Sequence, residues 1–319
     1  MNAHFSDVHS DLQGDLKKIP QFTFASWNLW LIRMLTNLQP KPKMPEDLII
    51  ENRFILSSKS NHRIRLRVYR PKLAPTKIPV LLWIHGGGYI IGKPEMDDSR
   101  CIQFVRETGI VVVSVDYRLA PKHPFPIPLE DSYDALKWVH AHASELGVDP
   151  ARIAIGGASA GGGLAASLVQ LAVDRQEVKP IFQLLVYPML DDKTVDRTDV
   201  ADKVYFNWNV NSNRFGWESY LAAKAGTTNL PAYAVPSRRM TLASLPPAWI
   251  GVGTLDLFYD EDAAYAQRLK HDGVKCDLFV VEGAFHGFDV FGASQVVRVF
   301  QNAQIEALRR YLLPATELA

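Results

Sequence analysis

The chain has 319 residues, 47% hydrophobic and 22% charged, with 35 basic against 34 acidic side chains. This is the composition of a folded globular protein, not of a highly charged disordered chain. A formal net charge of +1 removes any bulk electrostatic reason to bind nucleic acid or an anionic membrane. Its two cysteines, Cys101 and Cys276, are too few for a disulfide framework and lack metal-ligand spacing.

The opening segment MNAHFSDVHSDLQGDLKKIP is polar and lacks an export-signal pattern, so a cytoplasmic, reducing location is expected. Phe24 to Leu35 is more apolar but broken by Ser26, Asn28 and Arg33. It falls short of the roughly 20 apolar residues of a membrane span. Within it Trp27, Trp30, Leu31 and Met34 recur at helical spacing. Leu48–Leu56 and Ile64–Val68 alternate and are rich in β-branched residues, as in an antiparallel strand pair. Nearly continuous apolar runs follow at Val80–Ile84, Ile110–Val115, Ile153–Ile155, Phe182–Val186, Trp249–Val252 and Leu278–Val281. Such runs suit strands of a parallel sheet buried on both faces. Helices are expected between them at Asp131–Ser144, Ala160–Asp174, Asp260–His271 and Ser294–Leu312. The alternation gives an α/β fold with helices on both faces of the sheet.

Two segments stand outside this rhythm. Residues 1–45 hold the Trp27 stripe, and residues 191–225 are polar and aromatic-rich, with Tyr205, Phe206, Trp208, Trp217 and Tyr220. An insertion between a strand and the next helix lies on the face where α/β proteins bind ligands. The two segments are therefore expected to form a cap over a catalytic core of residues 46–190 and 226–319. An N-terminal helix that only covers core surface is the alternative.

The sharpest chemical signal is Ile153-Ala-Ile-Gly-Gly157-Ala-Ser159-Ala-Gly161, an apolar strand running through Gly-x-Ser-x-Gly into an Ala/Leu-rich helix. A nucleophile at the tip of so sharp a turn has a strained backbone, and Gly157 and Gly161 remove the side chains that would clash. The helix N-terminus behind it favours a developing oxyanion. Upstream, the strand Val80–Ile84 ends in His85-Gly86-Gly87-Gly88, where bare backbone N–H groups can approach a substrate oxygen. A loop with positive φ and no chemical role is the other reading of those glycines. In the same loop Gly87 to Lys93 nearly matches a phosphate-cradling loop, but Pro94 offers no hydroxyl for Mg²⁺. Of nine histidines, only His271 and His286 follow Ser159, the order expected after such an elbow. His271 ends a helix, where it serves the helix dipole. His286 sits in a strand-end loop and is the expected base. Asp256, after the penultimate strand, is the expected orienting carboxylate, with Asp260 as fallback. Asp260, Glu261 and Asp262 open a helix, where acids are favoured without a catalytic role.

These residues together resemble the hormone-sensitive-lipase-like carboxylesterases of the α/β-hydrolase fold. The resemblance runs from about Ile78 to Phe288. It rests on His85-Gly-Gly-Gly88, Asp116-Tyr-Arg-Leu-Ala-Pro121 with His123-Pro-Phe-Pro126, the Ser159 elbow, Asp256 and His286-Gly-Phe288. It implies an eight-stranded, mostly parallel sheet under a helical cap, and cofactor-free, metal-free hydrolysis of short- to medium-chain esters by a serine acyl-enzyme mechanism. Ser159, His286 and Asp256 would be the triad, and the N–H groups of Gly87, Gly88 and Ala160 the oxyanion hole. Homodimerisation through the last strand and its neighbouring helix stays open. Ala158, Lys122 and Leu257 depart from the family's usual Asp, Glu and Pro. An amidase or lactonase would use the same residues, since the pocket selects the leaving group. A non-catalytic receptor, similar to the plant gibberellin receptors, would keep the pocket and lack a working triad. A metallohydrolase is disfavoured because His140 and His142 lie on different sides of a helix.

Overall fold

A computed structural model describes residues 5–19, 22–37, 45–73, 75–201, 205–290 and 292–313. The first half contains α1 (Ser10–Leu16), α2 (Leu29–Asn37), β1 (Leu48–Leu56), β2 (Arg63–Pro71), β3 (Ile78–Ile84), α3 (Asp98–Thr108), β4 (Val111–Asp116), α4 (Ile127–Ala141), α5 (Ala143–Leu146) and β5 (Val148–Ala158). The second half contains α6 (Ala160–Arg175), β6 (Phe182–Val186), α7 (Thr198–Ala201), α8 (Val210–Leu221), β7 (Ala248–Gly253), α9 (Tyr259–His271), β8 (Cys276–Val281) and α10 (Gln295–Leu312).

The strands form one eight-stranded sheet in the order β1-β2-β4-β3-β5-β6-β7-β8. β2 runs antiparallel to both β1 and β4, and the remaining neighbours are parallel. The pleat divides each central strand between two cores: in β3, Val80, Leu82 and Ile84 join one cluster while Leu81 and Trp83 join the other. Both faces are dry, which is why these strands read as unbroken apolar runs. One face is closed by α4, α6 and α9 through Leu136, Leu164, Leu168 and Leu269. The other is closed by α3 and α10 through Phe104, Val105, Phe300 and Leu308.

α3 has no counterpart among the expected elements. Its signal is the spacing of Cys101, Phe104, Val105 and Thr108, all buried, within a stretch otherwise too polar to stand out. The N-terminal region divides in two. Val8, Leu12, Leu16 and Ile19 join the core cluster of α3 and α10, and the His9 N–H donates to Gly283 O at 2.9 Å. Residues 22–37 instead meet the segment 191–225. The Phe24 N–H donates to Ser212 Oγ at 3.0 Å, and the Phe24 and Trp208 rings lie 5.4 Å apart. The stripe read from the sequence faces outward: Trp27 and Trp30 are 76% and 66% exposed. α2 is held from its other side, where Leu29 and Ile32 pack on the core. Arg33 donates there to Ile90 O at 2.9 Å and to Ala120 O at 2.7 Å.

Candidate active site

Five loops that leave the carboxyl ends of β3, β5, β6, β7 and β8 converge at one edge of the sheet, where open α/β sheets bind ligands. Ser159 is the single residue between β5 and α6, at φ 56° and ψ −125°. Strain of this kind costs on the order of 1–3 kcal/mol and persists only where the surroundings enforce it. Here they do. The Ser159 N–H donates to Val186 O at 2.9 Å, and Ser159 O accepts from the Met189 N–H at 3.0 Å. The flanking glycines are obligatory for steric reasons: a Cβ on Gly157 would lie 2.3 Å from Gly161 O, and one on Gly161 would lie 2.1 Å from Ile84 O.

The Ser159 hydroxyl donates to His286 Nε2 at 2.9 Å. On the other side of the ring, Nδ1–H donates to Asp256 Oδ2 at 2.8 Å, which fixes the tautomer that leaves Nε2 an acceptor. Asp256 Oδ1 accepts the Phe258 N–H at 2.9 Å, so the carboxylate cannot swing away. All three residues are buried, Ser159 and His286 at 8% and 5% exposure. Phe258 and Tyr187 meet the imidazole edge-on, with centroids 5.0 and 4.9 Å away. His271 is exposed in the last turn of α9.

The acids that open α9 differ from their expected common role. Asp260 is exposed and pairs with Arg197 at 2.6 Å. Glu261 is buried and accepts from the Leu190 N–H at 2.7 Å, the Asp191 N–H at 3.2 Å and the Thr194 hydroxyl. It anchors the start of the 191–225 segment rather than serving a dipole in solvent. Asp262 is fully buried, and neither carboxyl oxygen has a hydrogen-bond partner among the described residues. Burial, with Glu261 and Asp256 nearby, pushes its pKa well up.

The glycine loop after β3 comes close to the nucleophile turn at Gly86, where a Cβ would lie 3.3 Å from Ser159 Cβ, and continues through Gly87 and Gly88 with φ of 113° and 60°. The loop folds back on itself, since the N–H groups of Ile90 and Ile91 both donate to Gly87 O at 3.0 Å. Tyr89, Ile90 and Ile91 are buried. Tyr117 of the Asp-Tyr-Arg-Leu-Ala-Pro stretch braces the loop: its hydroxyl donates to His85 O at 3.0 Å and its ring stacks on His85 at 4.4 Å. Burial pushes the His85 imidazole down, towards the neutral form. Ala160 opens α6, so its N–H is among those a helix leaves without an intrahelical acceptor. Of the family departures, Ala158 and Leu257 are buried and Lys122 is exposed. Among the described residues no three His, Cys, Asp or Glu side chains converge as a metal-ligand set.

Sequence reasoning missed two supports of His286. The Asn207 side-chain amide donates to His286 O at 2.9 Å, a link from the 191–225 segment into the loop after β8. Beneath the imidazole, Asp289 accepts from Tyr187 OH at 2.7 Å and from Arg100 at 2.9 Å. Arg100 also donates to Tyr187 OH at 3.2 Å and lies over the Trp83 ring at 5.4 Å. The position of Asp289, three residues past His286, is the only hint of this network in the sequence.

Comparison with known proteins agrees with this fold. A family model described as alpha/beta hydrolase fold matches residues 81–290. The chain is 36% identical over 256 residues to carboxylesterase NlhH of Mycobacterium tuberculosis, covering 80% of each chain. It is 30% identical over 241 residues to an ethyl acetate hydrolase of Pseudomonas putida, covering 75% of each. The solved structure of a bacterial heroin esterase superposes with a TM-score of 0.91 at 35% identity, over 97% of this chain and 99% of that one. This chain belongs to the α/β-hydrolase-fold family, in its hormone-sensitive-lipase-like carboxylesterase branch.

Proposed function

We propose that the protein hydrolyses short- to medium-chain carboxylic esters, with Ser159 as nucleophile, His286 as base and Asp256 as the carboxylate that orients it. The observation that supports this best is the unbroken hydrogen-bonded line from Ser159 Oγ through both ring nitrogens of His286 to Asp256. In this reading Ser159 Oγ attacks the ester carbonyl as its proton passes to Nε2, and Asp256 stabilises the imidazolium that results. The N–H groups of Gly87, Gly88 and Ala160 receive the tetrahedral oxyanion, where each preorganised donor is worth about a hundredfold or more in kcat. The imidazolium then protonates the leaving alkoxide, the acyl group stays on Ser159, and His286 activates the water that releases it.

The reading includes a cap formed within residues 1–45 and 191–225, supported in the described residues by the contacts of 22–37 with the second segment. It keeps a cytoplasmic location, in keeping with two buried free thiols. Pairing of two chains through the terminal strand β8 and α10 is left open by this reading, and light scattering behind a sizing column would decide it.

The test is hydrolysis of p-nitrophenyl acetate, butyrate, octanoate and laurate by the protein and by Ser159→Ala. The expected result is turnover that declines with the longer acyl chains, with kcat at least about a thousandfold lower in the variant. A variant that keeps a tenth of the activity would remove Ser159 from its role. Turnover of amides or lactones with none of esters would move the activity to a sister reaction of the same triad.

A further inference from the structure

We propose that Trp208 is the residue that limits the bulk of the ester this site accepts, an inference that rests on the esterase reading above. Trp208 comes from the 191–225 segment, yet its indole reaches both halves of the site. A Cβ placed on Gly88 would lie 2.2 Å from the indole Cη2 and 2.9 Å from Cζ2, so the ring tip occupies the space a side chain at Gly88 would need. The same ring has its centroid 6.4 Å from the His286 imidazole, tilted by 42°. An ester bound for attack must put its carbonyl oxygen at the glycine loop and its leaving oxygen within reach of His286. Its carbonyl carbon then lies between the two groups that Trp208 spans, and the indole bounds that space from above.

The ring is fixed rather than free to swing aside. Its Nε1–H donates to Asn213 Oδ1 at 3.2 Å. Phe24 backs it at 5.4 Å, and Gly216 leaves room beneath it, where a Cβ would lie 3.5 Å from Cζ2 and 2.9 Å from Gly88 O. Trp208 is only 5% exposed. A substituent that pushes the ring aside therefore breaks a buried hydrogen bond and an aromatic contact. Trp27 and Trp30 of the first segment face outward at 76% and 66% exposure and do not share this position.

Trp208→Ala and Trp208→Phe test the inference through two ratios of kcat/KM. One compares p-nitrophenyl octanoate with p-nitrophenyl acetate, and the other compares 1-naphthyl acetate with ethyl acetate. At least one ratio should rise tenfold or more in Trp208→Ala, with Trp208→Phe in between. A rise in the first places the indole over the acyl group and a rise in the second over the alcohol; either supports the inference. Both ratios within twofold of the parent protein would overturn it. If Trp208→Ala does not fold, the ratios of Trp208→Phe decide, with a threefold rise expected. Failure of the esterase reading looks different: the parent protein hydrolyses none of these esters, or Ser159→Ala hydrolyses them as well, and the inference then falls with it.

Discussion

Ser159 is held in a backbone conformation that a serine seldom adopts, at φ 56°, and its neighbours carry the cost. Two glycines clear the turn, and backbone bonds to Val186 and Met189 lock it. His286 is held in the same manner but by distant parts of the chain. Asp289 is buried and pairs with Arg100, so Asp289→Ala should strand a guanidinium in the interior and destabilise the fold by about 3–5 kcal/mol. Urea denaturation would measure that loss. Tyr187→Phe keeps the ion pair and removes only the hydroxyl, at about 1 kcal/mol. It should lower kcat severalfold with KM little changed, because the ring still meets the imidazole while its tether is gone. An unchanged kcat would mean that the ring alone positions the base. Ser159, Asp256 and His286 were legible because each follows a recognisable strand, in the chain order an elbow imposes. Asn207, Tyr187, Asp289 and Arg100 were not. Their contacts join residues 79, 102 and 189 positions apart, and no local pattern announces such a pair.

At the scale of elements, the strands were legible because burial on both faces leaves unbroken apolar runs, and the helices because one apolar face repeats. α3 was hidden by its charged exposed side. α2 shows a further limit. Periodicity reveals that a helix has an apolar stripe, but not that the stripe faces the core. Here Trp27, Trp30, Met34 and Leu35 are turned to the outside, while Leu29, Ile32 and Arg33 attach the helix. Trp30→Gln should therefore leave the melting temperature nearly unchanged, as surface substitutions away from special features usually stay within about 0.5 kcal/mol. Arg33→Ala should lower it by a few degrees, because two carbonyl oxygens on the glycine loop and its neighbour lose their donor. Calorimetry on the pair distinguishes these outcomes. Equal effects would place the weight of α2 on its outer face.

Across the whole molecule, the antiparallel pair β1–β2 was legible from its alternation, but the order of the eight strands was not, because it depends on crossovers between remote strands. Nor was the ion network that ties the antiparallel end of the sheet to the catalytic edge. Arg65 on β2 bonds Asp116 at the end of β4 and, at 2.9 Å, Glu95 in the turn after the glycine loop. Burial opposes the charge on Glu95, but Arg65 outweighs it and holds the carboxyl at about 2. An unfolded glutamate titrates near about 4.3. The contribution is therefore fully present above that value and is lost as pH falls from there towards about 2. Glu95→Gln should melt below the parent protein at about pH 5 and approach it at about pH 3. A gap that widens with acid would contradict the assignment. That one serine carries the reaction can be tested by titrating the protein with diethyl p-nitrophenyl phosphate. Released p-nitrophenolate is counted, remaining esterase activity is followed, and the adduct is mapped by peptide mass spectrometry. One equivalent should be released, with one diethylphosphoryl group on the peptide at Ser159 and activity that falls in step with labelling. Full turnover by the labelled protein, or an adduct on another residue, would contradict it.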